Sequence, residues 1–289
     1  MTAQPTTDAK DLAPFLEALL ARYHRRDFLS SDPIQFVHRF NTPADQEVVG
    51  LLSAMLAFGN VRSVGASIDA LLTVVGENPA RYIAGFDHAR AAREFATLGH
   101  RWIRGADLAA YLAAVRGVLD THGSLRELVA TSWQSSEDFW QVSAAFSSAL
   151  ENALPKTAAR TRGLSFLLSP PTPGSARKRL AMYFRWMVRS DEIDLGLWKD
   201  AMPASALRIP LDTHLSRICR YIGLSQRKSV DWKMADEVTA ALSLIDPQDP
   251  VRFDFALARL GILRDCPHKV VEEKCAPCPI RPVCRLGGG

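Results

Sequence analysis

Four of the five cysteines in this chain stand within twenty residues of one another, in DCPHKVVEEKCAPCPIRPVC, residues 265–284. Cys266, Cys275, Cys278 and Cys284 are separated by eight, two and five residues. Four thiolates can complete a tetrahedral metal site or hold one cubane iron–sulfur cluster. Cys275 and Cys278 form a C-x-x-C pair, the usual two-ligand turn, and Pro277, Pro279 and Pro282 reduce the freedom the loop gives up when it is ordered. Zinc sites often combine two C-x-x-C pairs. Only one such pair occurs here, so the unequal gaps favour a 4Fe-4S cluster, with zinc as the alternative. The N-terminus, MTAQPTTDAKDL, has no apolar core of a signal peptide, so a cytoplasmic protein is expected. Thiols there stay reduced, and clustered cysteines serve metals or redox chemistry rather than disulfides. Cys219 stands apart, at helical spacing from Leu215, Ile218 and Ile222, and reads as a buried core thiol.

Two other stretches carry residues suited to chemistry. IPLDTHLSRICRYIGL opens a helix with Asp212 at the N-cap position. That carboxylate is either a structural cap or a group held near a ligand, able to stabilise positive charge or activate a nucleophile. His214 reads as a core or capping histidine. In GSARKRLAMYFRWMVR, Ser175 is the expected N-cap. Ala176, Leu180, Tyr183, Phe184 and Met187 share one face of this helix, and Lys178, Arg185 and Arg189 the other. A helix start behind a glycine turn exposes free backbone N–H groups that suit a phosphate, and added cations strengthen the attraction. The competing reading is a solvated polar face.

The elements that must position these residues are helices. Strand signals are scarce and helical periodicity recurs along the chain. Leu12, Phe15, Leu16, Leu19 and Leu20 form one stripe. Thr42 and Pro43 open a second helix, whose face is Val48, Leu51, Leu52, Met55 and Leu56, and VRSVGASIDALLTVV follows at once. Further helices are expected near 105–121, 137–153, 175–189, 211–223, 231–244 and 250–262. Breaks fall at LLSPPTPGSARKR and between about 190 and 210. Apolar runs such as AMLAFG are far too short to cross a bilayer. A net charge of +4 is too small to imply a polyanionic partner, so the placement of the cations decides.

A hairpin-like turn with a lysine, an aspartate at a helix start and four C-terminal cysteines follow one another in this order. From about residue 40 to 284, that order resembles the helix-hairpin-helix DNA glycosylase superfamily, in its iron–sulfur branch of endonuclease III and the adenine glycosylases. TPGSARK, residues 172–178, resembles the family's hairpin and places Lys178 on the lysine that bifunctional members use as nucleophile. Leu211, Asp212, Thr213 and His214 resemble its V-D-T-H segment, which places Asp212 on its catalytic aspartate. Cys266, Cys275, Cys278 and Cys284 fall on its cluster ligands. LLSAMLAFGN resembles the helix end that carries its DNA-probing loop, with Met55 where endonuclease III has a glutamine that fills the gap left by the flipped base. Ala176 departs from the second hairpin glycine. An insertion near 190–206 lengthens the path from Lys178 to Asp212, and the first cysteine gap is wider than the common one.

The resemblance implies an all-α fold of two helical lobes with a cleft between them. One is a barrel-like lobe, 43–206, with the hairpin; the other combines 1–42 with 207–289 and the cysteines. It implies a nucleoid-associated, monomeric DNA-repair enzyme that flips a damaged base from duplex DNA. Asp212 would stabilise the positive charge that develops on the sugar. Lys178 would attack the sugar to form a Schiff base, giving abasic-site lyase activity; a Lys178 directed into solvent would leave a monofunctional enzyme. Gly174, Ser175, Arg177, Arg179, Asn60, Arg62, Lys274 and Arg281 would hold the phosphate backbone without reading sequence. Two alternatives remain open at this point: a non-catalytic binder of DNA structure that keeps the fold and cluster, favoured by Met55 and the insertion, and a zinc-stabilised helical adaptor or RNA-binding module.

Overall fold

The structure is a computed structural model and describes residues 9–286; residues 1–8 and 287–289 of the expected second lobe lie outside the described residues. The fold is all-α. Its helices are α1 (Ala13–Tyr23), α2 (Pro43–Leu56), α3 (Val61–Val75), α4 (Pro79–Ala84), α5 (His88–Glu94), α6 (Gly105–His122), α7 (Leu125–Ser136), α8 (Phe139–Asn152), α9 (Arg162–Leu168), α10 (Lys178–Val188), α11 (Thr213–Tyr221), α12 (Trp232–Ser243), α13 (Asp254–Ile262) and the single turn α14 (Glu272–Cys275). Two-residue strands, Gly99–His100 and Ile103–Arg104, pair antiparallel before α6. Short 3-10 turns at Arg26–Ser31 and Pro33–Arg39 lead from α1 to α2.

Local chemistry sets most helix starts. Thr42 accepts the N–H of Asp45 at the head of α2, and Asn60 accepts that of Arg62 at the head of α3. Ser124, Asp138, Thr161 and Asp231 cap α7, α8, α9 and α12 in the same way, each satisfying an N–H that has no partner inside its helix. The buried apolar residues form one continuous cluster running from Leu12 to Ile280. Within it α2 is buried nearly all round, from Glu47 to Leu56, and packs on α10.

The helix expected over 175–189 begins three residues later. Gly174 has a φ of +80°, which a side chain rarely adopts, and turns the chain in the open. Ser175 caps the turn instead of the helix, accepting the N–H of Arg177 at 3.1 Å, and Arg177 itself takes the left-handed N-cap conformation with a φ of 48°. The polar face expected on this helix is also absent. Every residue of α10 from Leu180 to Val188 is buried. Arg185 and Arg189 neither meet solvent nor offer themselves to a phosphate, because carboxylates just beyond the helix and others some sixty residues on reach them inside the protein.

Those carboxylates come from the insertion, from α13 and from the turn that leads into it. Asp194 and Asp254 flank Arg185, with Asp194 at 3.2 Å. Asp191 lies 2.8 Å from Arg189, Asp249 reaches it at 2.8 Å, and Asp194 bonds it as well. The insertion closes a small turn, bridged between Ser190 and Leu195, and buries Trp198, whose indole N–H donates to Glu47 on α2 at 2.6 Å. Buried cations paired in this way hold both partners in register, whereas one partner left alone would be strongly unfavourable.

Candidate active site

Lys178 and Asp212 line one cavity of about 700 Å³. The cavity walls come from both residue ranges of the expected lobes: Ala57 to Val61, Phe166, Lys178 and Arg179 from the first, and Ser31 to Pro33, Gln35, Phe36, Asp212 to His214, Gly261, Ile262 and Arg264 from the second. Lys178 is the first residue of α10, delivered by the turn between α9 and α10, and is half-buried. Asp212 caps α11, its carboxylate accepting the N–H groups of His214 and Leu215 at 2.9 Å each. Behind them lies Asp254, fully buried; burial raises its carboxyl while Arg185 opposes that, and the charges of Lys178 and Asp212 both reach it.

The aromatic lining is a packed group. Phe58 and Phe166 have ring centroids 4.4 Å apart, and Trp102 stands 5.1 Å from Phe58. Arg179 lies over the Phe166 ring at 3.7 Å and donates to the Met55 carbonyl at 3.0 Å, so its guanidinium forms a wall rather than a free arm. Burial brings Arg179 down to about 10. On the far wall Asp32 pairs with Arg259 at 2.7 Å. Burial alone would raise the Asp32 carboxyl, but Arg259 and Arg185 hold it below the usual carboxylate range.

Several expected contacts fall elsewhere. Arg177 is 5% exposed and cannot meet a phosphate; it donates to the Ser143 hydroxyl at 3.0 Å, to Ser147 and to the Ser169 carbonyl at 2.7 Å. Among the described residues no carboxylate pairs with it, and burial lowers it to about 10. Met55 is 1% exposed, in the core, so it probes nothing; the exposed positions at that helix end are Gly59 and Asn60. His214 is exposed on the cavity wall and is not a core residue. Asn60, Arg62, Gly174 and Lys274 are exposed, and Ser175 and Arg281 half-buried. Asp32, Gln35, Phe36, Phe166 and Arg264 were invisible as site residues in the sequence, since only packing of distant segments brings them to the cavity. Phe58 alone had a local signal, its place beside the AFGN turn.

Cys266, Cys275, Cys278 and Cys284 line a second, apolar cavity with Tyr221 and Ile280. Among the described residues no three histidine, cysteine, aspartate or glutamate side chains are placed to hold a metal ion. The donor set is nevertheless all thiol and shared: Cys266 feels Cys284 and Cys278, and Cys278 feels Cys284 and Cys275. Burial pushes the Cys266 thiol up to about 11 and raises that of Cys278. Cys219 is a fully buried core thiol, as expected. The cysteine loop is joined to the helices that border the first cavity. Arg217 of α11 donates to the Cys266 carbonyl at 2.8 Å, the Cys266 N–H meets the Leu260 carbonyl of α13 at 2.9 Å, and Lys274 donates to the Arg264 carbonyl at 2.6 Å.

Residues 32–263 match a family described as a protein of unknown function, DUF2400. The chain belongs to the DUF2400 family. The DUF2400 match contains Lys178, Asp212, His214 and most of the cavity lining, and ends before the four cysteines. No curated protein and no solved structure matches this chain.

Proposed function

We propose that this DUF2400 protein is a DNA base-excision glycosylase of the helix-hairpin-helix type, with abasic-site lyase activity through Lys178. The observation that carries the reading is the common cavity of Lys178 and Asp212, an amine and a carboxylate from the starts of two successive helices, lining one aromatic-walled space. The turn from α9 through Gly174 and Ser175 into α10 supports a hairpin contact to one strand, with Asn60 on the cavity lining and the exposed Arg62 as further backbone contacts. Duplex DNA would be held through its phosphates by a monomer, and the target base would leave the stack to enter the cavity.

Breaking the glycosidic bond builds positive charge on the sugar, which the Asp212 carboxylate stabilises through space. Lys178 Nζ adds to the sugar carbon, and the resulting Schiff base leads to strand cleavage beside the abasic site. Phe58, Phe166 and the Arg179 plane exclude water from the base and give it faces to stack on. Cys266, Cys275, Cys278 and Cys284 would hold a 4Fe-4S cluster, which supplies a rigid clasp rather than hydrolytic chemistry. Arg217 and Lys274 transmit that rigidity to α11 and α13.

The test is a panel of duplexes carrying oxidised, deaminated, alkylated or absent bases, incubated with borohydride. Wild-type protein should be trapped covalently on the abasic duplex and should release at least one base. Lys178→Gln should abolish trapping, and Asp212→Asn should lower base release by about 10²–10³-fold, the cost of losing one electrostatic stabiliser. Wild-type protein that binds duplex but neither releases a base nor is trapped would replace this reading with the non-catalytic binder. Zinc and no iron in the purified protein would favour the helical adaptor.

A further inference from the structure

The proposed chemistry leaves the departing base with an electron pair and no proton donor. Lys178 is the nucleophile, Asp212 stabilises the sugar, Asp32 is committed to Arg259 and Arg179 to the Met55 carbonyl and the Phe166 ring. Arg264 remains at the rim, and a guanidinium does not give up its proton in proteins. One titratable side chain on the cavity wall is left, His214.

Its position is built into two helices. His214 lies in the first turn of α11, two residues after Asp212, and its own backbone N–H is what the Asp212 carboxylate accepts. Its ring leans on α13 at Gly261, where a built Cβ would stand 3.0 Å from His214 Cβ and 3.5 Å from its Cγ. A glycine inside a helix costs about 0.5–1 kcal/mol relative to alanine; here it makes room for the imidazole. The ring has no hydrogen-bond partner among the described residues and is exposed to the cavity. The charged groups around that space are Asp212 on its own helix, Lys178 and Arg179 from α10, Asp32 from the Pro33–Arg39 approach, Arg264 after α13, and the buried Asp254 behind them. Arg217, one turn further along α11, faces His268 and the Cys266 carbonyl instead.

We propose that His214 protonates the base as it leaves, an inference that rests on the glycosylase reading. As the bond between the sugar carbon and the base nitrogen breaks, its electron pair goes to the base, which takes a proton from a ring N–H of His214. Lys178 Nζ forms the new bond to the sugar carbon and sheds its proton to solvent, from which the imidazole also recovers its own. Imidazole suits this exchange because it is the side chain that gains and loses a proton between about pH 5 and 8. It is needed for base release and not for attack on a site whose base is already gone.

That asymmetry gives the test. Base release from whichever panel duplex the wild type processes is measured under single turnover across pH, beside borohydride trapping on a preformed abasic duplex. His214→Gln should lower base release about 10²-fold or more, the usual contribution of a positioned acid, and flatten its pH dependence. Trapping should fall by less than a tenth of that factor. Added imidazole should partly restore base release to His214→Ala. Equal losses in both reactions, or no loss in base release, would overturn the inference while leaving the glycosylase reading intact. A wild type that is trapped on the abasic duplex but releases no base would overturn the inference and base excision with it, leaving only the lyase. A wild type active in neither assay sinks both.

Discussion

Arg177 and Arg185 are guanidiniums buried eight residues apart at the two ends of one helix, with opposite surroundings. Arg185 sits between Asp194 and Asp254, and those carboxylates outweigh the burial that would lower it, so it is held well above the usual arginine range. Arg177 meets only hydroxyls and a carbonyl and is brought down to about 10. Replacing a paired ion strands its partners, whereas replacing an uncompensated one removes a desolvation cost. Arg185→Met is therefore expected to destabilise the fold by about 3–5 kcal/mol, and Arg177→Met to stay within about 1 kcal/mol of wild type, both read from urea midpoints. Duplex binding should separate surface from core as well. Arg62 is exposed and has no ion-pair partner among the described residues, so Arg62→Ala should flatten log K against log salt by about 0.9, measured by fluorescence anisotropy. Arg177→Met should leave that slope where it is.

At the scale of elements, the insertion at 190–206 is a clamp on α10. Its turn presents Asp191 and Asp194 to the helix from one side while Asp249 and Asp254 close the other. His24 from the end of α1 completes the arrangement, bonding Asp191 at 2.9 Å. Burial would raise the Asp191 carboxyl, but the His24 bond and the charge of Arg189 hold it far below the usual range. A carboxylate depressed in the folded state contributes stability that is fully present above its unfolded value and is lost as the pH falls towards the folded one. Asp191→Asn should accordingly cost about 1–3 kcal/mol near neutrality. That cost should shrink below about pH 4, where the unfolded aspartate also protonates; thermal melts of both proteins across pH measure it. A cost that stayed constant down to pH 3 would mean the side chain acts by shape alone.

For the whole molecule, the cysteine loop is tied to the candidate active site, because α11 and α13 border the cavity and also hydrogen-bond Cys266. α11 starts at the Asp212 carboxylate and ends at Tyr221, whose carbonyl accepts the Arg285 N–H at 2.7 Å. If a metal group orders the loop, removing one ligand should release it. Cys275→Ser is expected to purify with less iron and sulfide than wild type and to become cleavable by trypsin at Lys269 and Lys274. Its base release should fall although no cavity residue has changed. Unaltered proteolysis would show that the loop is ordered by packing and proline alone.

The sequence by itself determined the helices, their caps, the isolation of Cys219 in the core and the grouping of the other cysteines, because these depend on neighbours a few residues away. Thr42 and Asp212 cap helices with N–H groups two or three positions on, so their roles were legible from spacing. Only the tertiary structure decided which cations are free. The triplet Arg177, Lys178 and Arg179 reads as one basic patch, yet one is caged by serines, one lines the cavity and one is stacked on Phe166. Arg185 and Arg189 read as a solvated face until Asp194, Asp249 and Asp254 reach them. Burial and ion pairing between segments remote in sequence set the energy of a charge, and no local pattern encodes which segments will meet.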